Sequence, residues 1–499
     1  MLGCKSHASD RNKMSAGTTA ASTQPPRPVG EEAELQVLGE SSRLRIGDAT
    51  PATHAWFDGF RIVLTAARGE ILGLQVVHAG GGKVSVQLAD GARVGVRGYA
   101  VEPFVVLRPS TALYGGSHGA GLYPDGLLAA AEPTSDPAYF ELEVGYDAEP
   151  GTYTGALTTR DRSVPIELHV APVTLPPLPL KVWAYENTLE PLWSNTSERA
   201  CVAMFARYGV LLSPDVHLED WPTRRAQLGD AKRIRDVPVW ISEYPPIAYG
   251  QVKAWIDAFR GTGQVPFAIP IDEPRTPEAR RRVRALADTV RAAGGGPTTF
   301  RFAVTDAPDP IYGDAVDLYI SWNAAHLRGD PAARWTYNGA PPYAGSMVLD
   351  AESPGMRTWG WIAWRYQIPI WYVWDALYWH DRHNRKQLAL PIRGLDARRD
   401  AVSFDDGEDH GNLDGVLALP GCEPTLRLAQ LRRGFQDFQL LELAAKCDRK
   451  AADAVAAELV PRALGDAVTG APPAWPTTET TWETAREKLI AIAASCAAR

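Results

Sequence analysis

An apolar run, Val265-Pro266-Phe267-Ala268-Ile269-Pro270-Ile271, ends in two adjacent carboxylates and a proline, Asp272-Glu273-Pro274. An amphipathic stretch, predicted as a helix over 276–294, follows at once. A strand that ends in acids and turns into a helix brings side chains to the C-terminal edge of a parallel sheet, where such folds carry out chemistry. Two carboxyls there suit the cleavage of a glycosidic bond. That reaction needs an acid for the leaving oxygen and a negative partner for the cationic ring carbon. If the sugar carries a 2-acetamido group, its own carbonyl can attack that carbon. The protein then supplies an acid and a carboxylate that orients the acetamido group, and neighbouring residues suffice for both. The longer Glu273 suits the acid, Asp272 the acetamido partner, and burial beside aromatic walls would keep the acid protonated. Asp-Glu-Pro is also a common start for a helix after a strand, so the triplet alone leaves both readings open.

Tryptophan is the second signal. Eight of the sixteen tryptophans lie between residues 322 and 379. Sugar rings stack their apolar faces on aromatic faces, and an indole N–H can bind a hydroxyl. Trp322 and Asn323 follow the strand predicted at 315–321, Trp335 and Tyr337 lie on the next at 333–337, and Trp374 and Asp375 end the strand at 369–375. Tyr185, near the end of the strand at 181–186, and Trp379, just past the last one, complete a candidate sugar-binding set, with core packing as its alternative. Trp361 and Trp364 stand three apart on a predicted helix and read as core.

No metal or cofactor is expected. The acidic stretch Asp405-Asp406-Gly407-Glu408-Asp409-His410 lacks the alternating spacing of a calcium loop and reads as a solvated turn. The histidines form no HExxH pair, and no phosphate loop or nucleophile elbow is present. The five cysteines, widely spaced and without a CxxC pair, give no disulfide framework; Cys201 and Cys447 read as small core residues.

The elements that must position these residues divide the chain in two. From 33 to 174, period-two alternation such as Lys83-Val84-Ser85-Val86-Gln87-Leu88, broken by turn residues, predicts a β-sandwich. A proline-rich hinge, Pro172 to Pro179, closes it. From 180 to 499 apolar runs alternate with helical stretches. Strands are predicted at 181–186, 209–213, 237–242, 265–271, 299–305, 315–321, 333–337 and 369–375, and helices at 197–208, 250–260, 276–294 and 355–367. Eight such strands predict a (β/α)8 TIM-like barrel, so the expected fold class is multidomain β and α/β. A hairpin at 401–419 and helices at 424–446 and 480–496 follow.

A length of 499 residues, 45% hydrophobic and 22% charged, is that of a soluble globular protein of about two domains. A net charge of −8 argues against nucleic acid as a partner. No apolar run reaches the length of about 18 residues that a membrane span needs. Residues 1–32 read as a tether, and Leu2-Gly3-Cys4 resembles the end of a lipoprotein signal, with Cys4 the possible lipid anchor, although the apolar segment that should precede it is missing. Secretion, the periplasm or a surface anchor is the expected location, and the cytoplasm if the N-terminus is as written.

Several segments together resemble a known family: Ile271-Asp272-Glu273-Pro274, Trp335-Thr336-Tyr337-Asn338, Arg357-Thr358-Trp359-Gly360-Trp361, Trp374-Asp375-Ala376-Leu377-Tyr378-Trp379, Asp414-Gly415-Val416-Leu417, and the helix Arg427-Leu428 … Leu431-Arg432-Arg433-Gly434 … Asp437-Phe438. The series is similar to the catalytic domain of glycoside hydrolase family 123, also described as DUF4091. The resemblance covers about 180–445 and implies an exo-acting, retaining β-N-acetylgalactosaminidase that works by substrate assistance. Glu273 would be its general acid/base, Asp272 its acetamido-stabilising residue, and a glycan or glycoconjugate its partner. The competing readings are a retaining glycosidase with a protein nucleophile such as Asp375, and a glycan-binding protein without turnover.

Overall fold

The computed structural model describes residues 35–50, 54–78, 81–89, 93–186, 198–227, 235–321, 334–379 and 398–497. Its N-terminal half builds two sheets. The first is antiparallel and has five strands, β1 (Leu35–Gly39), β3 (Ile71–His78), β7 (Ala138–Val144), β5 (Val94–Val106) and β6 (Gly121–Ala129), in the order β1-β3-β7-β5-β6. The second has four, β2 (Ile62–Arg68), β9 (Ser163–Thr174), β8 (Gly151–Thr158) and β4 (Ser85–Leu88), in the order β2-β9-β8-β4, with β2 parallel to β9.

The C-terminal half is organised on one parallel sheet. Its strands are β10 (Lys181–Ala184), β11 (Leu211–Leu212), β12 (Asp236–Pro238), β13 (Val265–Ala268), β14 (Arg301–Val304), β15 (Leu318–Ile320), β16 (Arg334–Tyr337) and β17 (Ile370–Val373), in the order β11-β10-β17-β16-β15-β14-β13-β12. The sheet curls until its two edges meet at a single parallel bridge, Val216 to Val239. Helices α1 (Glu198–Arg207), α2 (Trp221–Gln227), α3 (Pro245–Phe259), α4 (Pro277–Ala292) and α5 (Thr358–Tyr366) fill connections between strands, and α6 (Leu426–Leu459) and α7 (Glu479–Ala497) close the chain.

The expected β-sandwich followed by a (β/α)8 barrel is therefore corrected. The described connection from β14 to β15 runs through turns without a helix, the strands have only two to four residues, and the sheet is an open curl joined by one bridge. The five-stranded sheet is not one leaf of a free sandwich either. One face shares an apolar core with the four-stranded sheet through Val37, Leu74, Phe140 and Leu168. The other, through Tyr99, Val101, Phe104, Leu127 and Tyr139, joins the core built by α5, α6 and α7. Alternation reports a strand, but not how many of its faces are covered. β3 and β7 are buried at nearly every position, the pattern of strands covered on both sides.

Local chemistry explains the helix that follows the acidic pair. Thr276 caps α4 by accepting from the Ala279 N–H at 3.1 Å, Pro277 occupies the first turn, and Val283, Leu286, Ala287 and Val290 form the buried stripe. Helix α3 starts earlier than predicted because Pro245 and Pro246 are tolerated in a first turn. Helix α6 runs past the predicted end at 446 and kinks at Asp448.

The cysteine reading is also corrected. Cys201 of α1 pairs with Cys422, and Cys447 of α6 pairs with Cys496 of α7, with Cα atoms 5.4 and 5.8 Å apart. Partners 221 and 49 residues apart in the chain leave no local spacing to recognise. Cys4 lies outside the described residues. Among those residues no helix is long and apolar enough to cross a membrane, and no cluster of His, Cys, Asp and Glu could hold a metal ion.

Candidate active site

Asp272 and Glu273 stand just beyond the C-terminal end of β13. Glu273 has φ +40°, a left-handed conformation that costs a non-glycine residue free energy and gathers at functional sites. Thr305, just beyond β14, holds the pair from below. Its hydroxyl donates to Asp272 Oδ1 at 2.6 Å and accepts from the Glu273 N–H at 2.6 Å. The Glu273 carboxyl is gripped on both oxygens: the Tyr337 hydroxyl donates to Oε1 at 2.7 Å, and the Arg275 guanidinium donates to Oε2. Tyr337, at the end of β16, is only 7% exposed, so this grip spans the mouth of the sheet.

Burial, and then the charge of Glu273, pushes the Asp272 carboxyl up to about 7, against the opposing pull of Thr305 and Arg275. Further carboxyls crowd the same edge. Asp215, three residues past β11, is pushed up to about 7 by burial and by the charge of Asp272. Glu186, two past β10, is pushed up to about 7 by burial and by Asp375, against Arg224, whose guanidinium donates to it at 3.0 Å. Tyr372 of β17 sits among them. Burial, followed by Asp215, Tyr185, Asp272 and Asp375, drives its phenol well above the usual range.

The predicted set divides. Asp272, Glu273 and Tyr337 come together by direct bonds, and Tyr185 and Asp375 stand within charge range of Tyr372. Trp374 is half-buried at the end of β17. Its backbone N–H donates to Asn338 Oδ1 at 3.0 Å and its indole to Asp414 Oδ1 at 3.2 Å. Trp335 and Trp379 are corrected: both are fully buried. Trp335 packs edge-on against Phe267, and the Trp379 indole donates to the Ala418 carbonyl at 2.8 Å, so neither offers a face to a sugar. Asp375 is 1% exposed, its Oδ1 accepting from the Leu377 N–H at 2.8 Å. Trp322 and Asn323 lie outside the described residues. Trp361, buried and bonded through its indole to Asp437, is core, as its spacing predicts.

Sequence reasoning missed Asp215, Glu186, Thr305, Arg275, Tyr372 and a half-exposed stacked pair, His217 on Trp240, whose rings lie 4.8 Å apart at 25°. A usable signal existed for two of them. Glu186 ends the strand predicted at 181–186, and Asp215 follows the one at 209–213, positions equivalent to that of Asp272.

The fold has a solved counterpart. The chain superposes on a family 123 glycoside hydrolase from Clostridium perfringens, studied for glycolipid glycan hydrolysis, with a TM-score of 0.62 over 93% of this chain and 99% of the other, at 10% identity. This likeness shows a shared fold. A glycosyl hydrolase family 2 member from Bacteroides cellulosilyticus gives 0.26 at 12% identity, over 62% of this chain and 44% of its own. A β-glucuronidase from Ruminococcus gnavus gives 0.30 at 9% identity, over 73% and 65%. No protein-family model and no curated protein matches the chain in sequence.

Proposed function

We propose that the protein is a glycoside hydrolase that releases terminal β-N-acetylhexosaminides, β-N-acetylgalactosaminides first among them, from glycans or glycoconjugates with retention by substrate assistance. The observation that carries this reading is the adjacent pair at the end of β13, whose two carboxyls are held in different ways. Asp272 is enclosed and bonded to Thr305, as suits a group that orients the acetamido N–H. Glu273 is aimed by Tyr337 and Arg275, as suits an acid that must meet the leaving oxygen. The shared fold with a family 123 hydrolase supports it. A protein nucleophile at Asp375 is disfavoured, because that residue is 1% exposed and its Oδ1 accepts from the Leu377 N–H in its own turn. The two disulfides favour an exported protein, since thiols stay reduced in the cytosol.

The test is nitrophenol release from the β-N-acetylgalactosaminide and the β-N-acetylglucosaminide by wild type, Glu273→Gln and Asp272→Asn. Wild type should turn over, and each variant should lose about 100-fold or more. A thiazoline mimic of the cyclised acetamido intermediate should inhibit. An inactive wild type that still binds glycan would make this a binding protein. An active wild type indifferent to the thiazoline would point to a protein nucleophile.

A further inference from the structure

The carboxyl of Asp215 plays no part in the reaction proposed above, yet it occupies the same edge of the sheet. Val216 forms the bridge to Val239 that joins the two edges, so the backbone from 215 to 217 is extended. On an extended chain, alternate side chains share a face. Val216 is buried in the core, and Asp215 and His217 therefore project together from the opposite face. His217 stacks on Trp240, whose backbone N–H donates to the Val216 carbonyl at 2.9 Å. The result is a half-buried carboxyl flanked by a half-exposed flat aromatic wall, the pairing by which proteins hold a sugar's hydroxyls and its apolar face.

The order of strands around the mouth says which part of the sugar it meets. Asp215 follows β11 and the acidic pair follows β13, with β12 between them and joined to the β11 segment by the Val216–Val239 bridge. The Glu273 carboxyl reaches the other way, past β14 and β15, to bond Tyr337 on β16. That leaves Asp272 as the member of the pair on the Asp215 side, and its charge acts on the Asp215 carboxyl. If Glu273 serves the bond at ring carbon 1 and Asp272 the acetamido group on carbon 2, the next substituent in that direction is the hydroxyl on carbon 3. We infer that Asp215 is a specificity-determining residue that binds the 3-hydroxyl of the hexosaminide, with the His217–Trp240 pair walling the same subsite. This inference rests on the hydrolase reading and extends it to the sugar's far side.

A substrate-against-residue cycle tests it. kcat/KM is measured for wild type, Asp215→Ala and Asp215→Asn on the nitrophenyl β-N-acetylgalactosaminide and on its 3-deoxy analogue. Wild type should favour the parent by about 10- to 150-fold, the range of a hydrogen bond to a charged group. In Asp215→Ala that preference should collapse towards one, with Asp215→Asn in between. The preference is a ratio for one preparation, so partial misfolding of a variant cancels. A wild-type ratio near one overturns the inference whatever the variants do. So does an Asp215→Ala enzyme that is slow on both substrates and keeps the wild-type ratio, since Asp215 would then only support structure. Inactivity of wild type on the parent is a different result: it removes the hydrolase reading and this one with it.

Discussion

At the scale of residues the site is a problem of proton placement. Asp272 and Glu273 cannot both ionise cheaply at such short range, and the pair keeps one proton until about pH 7. One proton on the pair is the state the proposed reaction needs; in the free site burial holds it on Asp272, and the reaction needs it on Glu273 when the leaving oxygen arrives. Burial and the neighbouring charge have raised the pair's last ionisation, so activity is present below it and disappears as pH rises through it. kcat/KM on the nitrophenyl substrate should fall above about 7. Arg275 favours the ionised form, so Arg275→Met should move that fall to higher pH by about one unit or less. A pH–rate profile that keeps its position in Arg275→Met would remove the arginine from this account.

At the scale of elements, the arginines of α6 explain why its pattern is so particular. Arg427 donates to Asp125 of β6 at 3.0 Å and to the Met347 and Leu413 carbonyls. Arg432 reaches Glu40 at 2.8 Å and Glu141 of β7 at 2.5 Å. Arg433 reaches Glu70 at 2.7 Å and Glu483 of α7 at 2.5 Å, and Asp437 takes Arg357 at 2.7 Å. Gly434 is there because any Cβ would strike the backbone of Arg357, as one on Gly360 would strike Gly434. The helix is thus a buried bolt between the N-terminal sheets and the sheet that bears the site. Arg433→Met would strand Glu70 and Glu483 with less compensation, and should cost about 3–5 kcal/mol in urea unfolding. A loss under about 1 kcal/mol would show that the pairs are energetically idle. Burial pushes the Glu483 carboxyl up, but Arg357, Arg433 and Arg486 hold it well below the usual range. A depressed carboxyl stabilises the fold above its unfolded value of 4.5 and gives that up as pH falls, so acid should loosen this junction first.

The element scale also shows what could be read in advance. Seven of the eight strands of the parallel sheet fall within the predicted segments, and β12 overlaps its segment from one residue earlier, because short apolar runs bounded by turns and helices leave few alternatives. The buried arginines were legible as a motif but not as ion pairs, since their partners Glu40, Glu70 and Glu141 lie some 300 residues or more away in the chain.

At the scale of the whole molecule, two disulfides fasten parts that no local interaction would join. Cys201–Cys422 ties the first helix of the parallel-sheet region to the segment before α6, and Cys447–Cys496 ties α6 to α7. Closing a loop of 49 residues removes unfolded-chain entropy worth up to about 4 kcal/mol. Reduction, or the double variant Cys447→Ser/Cys496→Ser, should therefore lower the melting temperature by several degrees. An unchanged melting temperature would mean that packing between α6 and α7 already holds the chain ends without the bridge.

What the chain determined alone was everything carried by neighbours in sequence: the apolar run that ends in Asp272-Glu273, the capped helix after it, and the amphipathic stripes of the later helices. These depend on contacts a few residues apart, and composition and period record such contacts directly. Tertiary structure decided the rest. It placed Trp335 and Trp379 in the core, because a tryptophan's sequence position does not say which side of a strand or turn is filled. It paired the cysteines, covered the five-stranded sheet on both faces and left the parallel sheet an open curl. It also brought Asp215, Thr305 and Tyr337 to the acidic pair from strands far apart in sequence. Such convergence depends on how a sheet curls, a property of the assembled backbone that no short stretch of residues encodes.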